Sequence, residues 1–236
     1  MAKSAAPSIL GLRSIALLEG LSAERLEQVA RACAWRNFQP DQRIISRDAP
    51  DRDVYLIVSG RVRVTTYSAA GRQVTFRDFG AGAHLGEVAA IDGKPRSADV
   101  VALESSLLAS MPPAEFRQLL REEPVLAERL LRDFAGLVRR LSERVIDLST
   151  LGVHQRLHAE LLRLAREAGV SANRARIDPA PKHADLASQV STYREQVTRE
   201  LSALTKAKVL GKDGRALVVL DVSRLEKMVE EVRSSA

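Results

Sequence analysis

Between residues 35 and 111, apolar and polar side chains alternate in short runs: VYLIVSG, RVRVTTY, QVTFRDF and SADVVALESSLLASM. A period of two marks strands with one buried face. Gly60, Gly71, Gly80, Gly82 and Gly93 punctuate the runs, and six of the thirteen glycines fall in this stretch, so turns are concentrated there. Short strands with frequent turns predict a small antiparallel β-roll or barrel, with a hairpin tip at SAAGR, residues 68–72. On both sides the period lengthens. Residues 21–34 place Leu26, Val29, Ala30 and Cys33 at helical spacing behind Ser22, a good N-cap.

After Pro113 the pattern is helical: AEFRQLLREE, a break near Pro124, then one long run to Gly152. Leu130, Phe134, Leu137, Leu141, Val145 and Leu148 recur in steps of three and four, the narrow stripe of a two-helix seam. Arg and Glu flank it, as in a coiled coil. A helix this long beside a small β-domain leaves its stripe in water unless it pairs, which predicts a homodimer; packing on the chain's own β-domain is the plainer use. Another helix covers 153–168, and a polar loop with Pro179 and Pro181 covers 171–182, with room for a short strand at 176–177.

Residues 183–204, HADLASQVSTYREQVTRELSAL, read as two helices about a turn at Ser191 and Thr192. Leu186, Ala187 and Val190 line one inner face, and Val197, Leu201 and Leu204 the other. At about 100° per residue, with Arg194 at 0°, Thr198 falls near ~40°, Glu195 near ~100° and Arg199 near ~140°, opposite the apolar side. Arg forks onto guanine O6 and N7, and Glu accepts from cytosine N4, so this face suits base readout in double-stranded DNA. A solvated helix with a Glu195–Arg199 pair is the bland alternative. VLGKDGRALVVLD at 209–221 reads as a hairpin wing turning at Lys212, Asp213 and Gly214. Lys206, Lys208, Lys212 and Arg215 are candidates to meet phosphates, with plain solubilising charges as the bland alternative for the lysines.

Charge agrees in direction. The net charge is +6; residues 151–236 hold 15 Lys and Arg against 11 Asp and Glu, while residues 1–150 hold 21 against 19. The surplus favours the C-terminal part, as a polyanionic partner would require. No run reaches the roughly 18–20 apolar residues of a membrane span, and the N-terminal stretch lacks a signal-peptide core, so a cytoplasmic protein without membrane contact is expected. The single cysteine, Cys33, rules out an intramolecular disulfide and reads as a small buried hydrophobe. No nucleophile–base pattern or Walker-type loop points to an enzyme. His154 and His158 sit four apart without an evident third metal ligand, so no metal is expected.

The richest chemistry lies in GEVAAIDGKPRSADV, where Gly86 and Glu87 precede Arg96, Ser97 and Ala98, with nine residues from Glu87 to Arg96. Arg offers a forked cationic donor to phosphate, and Gly lets backbone N–H groups approach an anion. A carboxylate repels phosphate, so Glu87 is better placed to accept from a sugar hydroxyl. One phosphate with one sugar hydroxyl describes a nucleotide. Taken alone, Glu87 and Arg96 could instead be an ion pair at the rim of the roll.

The cassette resembles the phosphate-binding cassette of cyclic-nucleotide-binding domains. By that resemblance Gly86, Glu87, Val88, Arg96, Ser97 and Ala98 hold the cyclic phosphate and ribose. With the long helix and winged helix-turn-helix following in order, residues 17 to 221 resemble the catabolite activator (CRP/FNR) family of bacterial transcription regulators. The resemblance implies an α+β chain in three parts: a cyclic-nucleotide-binding β-roll over 1–124, a dimerisation helix over 125–151 and a winged helix-turn-helix over 152–236. It implies a homodimer that binds cyclic AMP and then an inverted TGTGA-like operator through Arg194, Glu195, Thr198, Arg199 and Lys212, with RNA polymerase as a further partner. Two departures stand out. Leu141 and Ser142 occupy the purine-contacting positions, where the family has Thr and Ser; loss of the Thr hydroxyl weakens the case for adenine and leaves cyclic GMP, or both nucleotides, as alternative ligands. Ser191 replaces a common Gly, which predicts a slightly altered turn. A ligand-independent regulator of the same fold is the remaining alternative.

Overall fold

The computed structural model describes residues 3–47, 49–68 and 73–233. The predicted hairpin tip at 68–72 lies outside them except for Ser68. The chain divides into two compact units, one ending at Leu137 and one beginning at Val138.

The first unit runs β1 (Lys3–Ser4), α1 (Ile9–Arg13), a 3-10 turn (Ala16–Leu18), α2 (Ala23–Ala32), β2 (Ala34–Phe38), β3 (Arg43–Ile45), β4 (Val54–Ser59), β5 (Arg61–Tyr67), β6 (Gln73–Gly80), β7 (His84–Leu85), α3 (Glu87–Asp92), β8 (Asp99–Ala102), β9 (Ser106–Met111), α4 (Pro113–Glu122) and α5 (Pro124–Thr150). α5 continues into the second unit. Two antiparallel sheets form, in the orders β1-β2-β9-β4-β7 and β3-β8-β5-β6. Phe38, Ile45, Tyr55, Ile57, Val62, Leu85, Val100, Ala102 and Leu108 come from both sheets and share one core. The helices cover the back of the first sheet, where Leu12, Leu26, Val29, Trp35, Val54, Leu56, Phe116, Leu126 and Leu130 form a second core. β4 therefore has core on both faces, which explains why VYLIV is continuously apolar rather than alternating.

Several sequence expectations are refined here. The helix expected over 21–34 is Ala23–Ala32; the Ser22 side chain accepts from the Arg25 N–H at 3.2 Å, as an N-cap should. Cys33 is that helix's C-cap, packs partly buried against the helical core, and has its thiol pushed up to about 12 by burial and then by Asp53. The run 97–111 is two strands, β8 and β9, in different sheets. The short apolar stretch near the N-terminus is core: Leu12, Ile15, Leu17 and Leu18 are buried. The α5 stripe divides. Leu126 and Leu130 are buried and Phe134 packs on their cluster, whereas Val138, Leu141, Val145, Ile146 and Leu148 are exposed.

The second unit adds α6 (Val153–Ala168), β10 (Val170–Ser171), β11 (Arg174–Ile177), α7 (His183–Gln189), α8 (Arg194–Lys206), β12 (Leu210–Asp213), β13 (Ala216–Val219) and α9 (Val222–Arg233). Its sheet has the order β10-β11-β13-β12. Leu157, Leu161, Leu186, Val197, Leu201, Leu204, Leu210 and Val219 pack as one core, joined by Val222, Leu225 and Val229 of α9. Asp213 pairs with Ala216, so the wing turns at Gly214 and Arg215, slightly later than the sequence suggested.

Candidate functional site

The cassette folds as strand, short helix and return strand. Gly86 caps α3 with φ +89°, and a Cβ there would stand 2.7 Å from the Asp53 carbonyl oxygen and 2.8 Å from Arg96 Nη1. Only glycine meets both demands. Ala89 and Ala90 bury the inner side of α3, leaving Glu87 half-buried and Val88 exposed. Ser97 is exposed and Ala98 half-buried directly before β8.

Arg96 is the organising residue. It is 4% exposed, which demands partners for its charge. Nη1 donates to the Gly86 carbonyl at 3.1 Å; Nη2 donates to the Asp53 carbonyl at 2.9 Å and to Asp51 Oδ2 at 2.7 Å. The guanidinium lies 5.8 Å from the centre of the Tyr55 ring. Tyr55 donates its hydroxyl to Asp51 Oδ2 at 3.3 Å, and its ionisation is pushed up to about 12 by burial, then by the Asp51 and Asp53 carboxylates. Arg96 Nε is buried with no hydrogen-bond partner among the described residues. The structure thus brings Gly86 and Arg96 together and gives Arg96 a carboxylate, but that carboxylate is Asp51. Among the described residues Glu87 makes no ion pair with it, so the rim-pair alternative fails. Asp51, Asp53 and Tyr55 were missed by sequence reasoning. The acidic DRD just before a strand was the available signal, but its tie to Arg96 spans more than forty residues.

Leu141 and Ser142 are exposed on the part of α5 that belongs to the second unit.

In the second unit, Arg194, Glu195, Thr198 and Arg199 are exposed and line one shallow depression on α8, while Val197, Leu201 and Leu204 are buried behind them. Glu195 and Arg199, both exposed, form no ion pair with each other among the described residues. Thr198 Oγ1 donates to the Arg194 carbonyl at 3.0 Å and lies 2.8 Å from His183 Nδ1, which ties the start of α7 to the same face. Ser191 takes φ +56°, so the turn keeps left-handed geometry without glycine, and the Thr192 N–H closes onto the Ala187 carbonyl at 2.9 Å. Lys212 is exposed on the wing strand. Arg215 is instead held by Asp178 at 2.8 Å, and Asp178 also binds Arg176.

His154 and His158 do share a partner. Glu200 on α8 receives His154 Nδ1 at 2.5 Å and His158 Nε2 at 2.6 Å. Burial pushes the Glu200 pKa up, but the hydrogen bonds from His158 and His154 outweigh it, and the net shift is downward. The three side chains tie α8 to α6; among the described residues no group of three or more His, Cys, Asp or Glu could hold a metal ion.

Known proteins place these parts. Residues 35–123 match the cyclic nucleotide-binding domain family and residues 155–228 the Crp-like helix-turn-helix domain family. The CRP-like cAMP-activated global transcriptional regulator of Mycobacterium tuberculosis is 23% identical over 212 residues, 89% of this chain and 95% of that protein. The Cyclic AMP receptor protein of Thermus thermophilus is 28% identical over 217 residues, 90% of this chain and 95% of that protein. A CooA mutant from Carboxydothermus hydrogenoformans shares the fold at a TM-score of 0.77 and 16% identity, covering 96% of this chain and 98% of that one. No helix among the described residues is long and apolar enough to cross a membrane. With a cyclic-nucleotide-binding domain ahead of a DNA-binding helix-turn-helix, and regulators rather than enzymes as its full-length relatives, this chain belongs to the catabolite activator (CRP/FNR) family of transcription regulators.

Proposed function

We propose that this chain works as a cytoplasmic homodimer that binds cyclic AMP and then an inverted TGTGA-like operator. The nucleotide domain spans 1–124, the dimer helix 125–151 and the DNA domain 152–236. The observation that carries the ligand reading is Arg96: a nearly buried guanidinium beside Gly86, with one donor, Nε, left without a partner. An unpaired buried donor is costly, and a phosphate oxygen would satisfy it. Gly86, Val88, Ser97 and Ala98 frame the phosphate, Glu87 accepts from the ribose hydroxyl, and Leu141 and Ser142 meet the purine. The relatives named for cyclic AMP favour that nucleotide. Cyclic GMP is the second reading: Leu141 offers adenine no hydrogen bond, and the exposed Ser97 hydroxyl suits the guanine amino group.

The exposed Val138, Leu141, Val145, Ile146 and Leu148 support a dimer seam, because an apolar run of this kind is normally covered. Arg194, Glu195 and Arg199 read bases, Thr198 supports them, and Lys212 holds phosphate; half-sites about 34 Å apart suit a two-fold dimer. Ligand acts by binding the DNA-competent state better than the other, since only differential affinity moves the equilibrium. RNA polymerase is the expected downstream partner. Calorimetric titration with cyclic AMP and cyclic GMP, followed by fluorescence anisotropy on a TGTGA-palindrome duplex with each, tests the proposal. Operator affinity rises with the nucleotide that binds; absence of heat with both overturns the reading.

A further inference from the structure

Arg96 is paired with an anion from its own chain, Asp51. The two hydrogens of Arg96 Nη2 are both committed, one to Asp51 Oδ2 at 2.7 Å and one to the Asp53 carbonyl at 2.9 Å. Nε–H is buried and unpartnered. Nη2 is the terminal nitrogen trans to Cδ, so one of its hydrogens runs parallel to Nε–H and forms one of the two forks of the guanidinium. A phosphate captured in bidentate fashion straddles such a fork. Half of the fork is open at Nε and the other half is taken at Nη2. The Arg96 side chain is 2% exposed and that of Asp51 40%, so the arginine is fixed and the carboxylate is the partner with room to leave.

From this we propose that Asp51 is a resident counter-ion that the ligand's phosphate displaces from Arg96. The inference rests on the nucleotide reading of the pocket and adds what sets its affinity. Without a partner, the buried guanidinium would be strongly destabilising in the ligand-free protein, and Asp51 supplies that partner. A second negative group on the same fork is repelled by the first, so phosphate and Asp51 exclude each other. When Asp51 leaves, the Tyr55 hydroxyl that already donates to it at 3.3 Å, together with solvent, accommodates its charge. Ligand affinity is then the difference between two anions competing for one cation, and position 51 tunes it without touching the nucleotide.

Full-length wild type, Asp51→Asn and Asp51→Glu, titrated with cyclic AMP by calorimetry, test this. Asp51→Asn is expected to bind about tenfold more tightly, because a neutral amide yields Nη2 more readily than a carboxylate does. Asp51→Glu keeps the charge and stays within about twofold of wild type on the same argument. Ligand-free Asp51→Asn melts lower than wild type, and saturating cyclic AMP closes the gap. Asp51→Ser substitutes if the Asn variant does not fold. Binding by Asp51→Asn that is unchanged or weaker overturns the proposal, since Asp51 would then be holding Arg96 in place within the complex. Wild type that binds neither cyclic AMP nor cyclic GMP overturns the nucleotide reading itself, an outcome separate from a tight wild-type complex with no gain in the variant.

Discussion

Arg96 donates to three oxygens of its own chain from a site 4% exposed, whereas Arg194 and Arg199 stand on the open face of α8 with no ion pair among the described residues. On the proposed reading the same guanidinium serves two kinds of anion recognition. A single small anion must be held against water, so its arginine is buried, fixed in direction and neutralised until the anion arrives. A DNA duplex brings a broad, highly charged surface, so its arginines stay solvated and give up that solvent only on contact. The supports differ accordingly. Arg96 is aimed by direct bonds to its own nitrogens; Arg199 is aimed only through its helix, whose buried Val197, Leu201 and Leu204 face the core and whose Glu200 is gripped by two histidines.

Replacing Arg96 by Ala strikes the buried member of the comparison and carries the largest expected effect. Cyclic-nucleotide affinity falls by at least about a hundredfold, in line with loss of a buried charged donor, and the ligand-dependent rise in operator binding disappears. Calorimetry and anisotropy read the two effects. A variant that still answers nucleotide normally breaks the contrast at its root. Arg199→Ala acts on the exposed member. It is expected to cost about 1–3 kcal/mol at one guanine and to relax specificity at that position only, measured by competition with operators altered one base pair at a time. Lys212→Ala is smaller and of another kind: all sequences weaken alike and the salt slope of binding drops by about 1. A sequence-selective loss on Lys212→Ala would move that residue from phosphate to base readout.

The two regions also differ in how far they can be read from the chain. The helix-turn-helix is a local structure, so the faces of 183–204 follow from the 3.6-residue period alone, and the exposed quartet Arg194, Glu195, Thr198 and Arg199 is found where the angles put it. The pairing of Gly86 with Arg96 was legible for a similar reason, since both lie in one cassette. Asp51 was not. Between it and Arg96 lie the four strands β4 to β7 and a helix that the pattern did not announce, because α3 is six residues long and has only Ala89 and Ala90 to bury. The α5 stripe shows a further limit. Periodicity draws one continuous line from Leu130 to Leu148 but cannot tell that Leu130 is covered by the unit's own core while Val145 is exposed. α9 was readable in principle, since Val222, Leu225 and Val229 have helical spacing, but it lies beyond the wing and the residues that carry the resemblance.

The smallest expected effect concerns how the exposed arginines are held. Glu200 neighbours Arg199 on α8 and points the other way, to His154 and His158 on α6. Burial works against its charge, the two histidine hydrogen bonds prevail, and its folded-state pKa lies below the ordinary glutamate value. A carboxylate depressed in this way contributes stability that is fully present above its unfolded pKa and is lost as pH falls through the folded one. Acid should therefore loosen α8 in the wild type as Glu200 takes up a proton. Glu200→Gln lacks that contribution from the start: α8 amides exchange faster than wild type at neutral pH, and the difference shrinks as the pH drops below the ordinary glutamate range. Hydrogen exchange followed across that window reads both limbs. Equal exchange at neutral pH would mean that the apolar face of α8 alone fixes the helix, and that Arg199 owes its aim to packing rather than to the bond behind it.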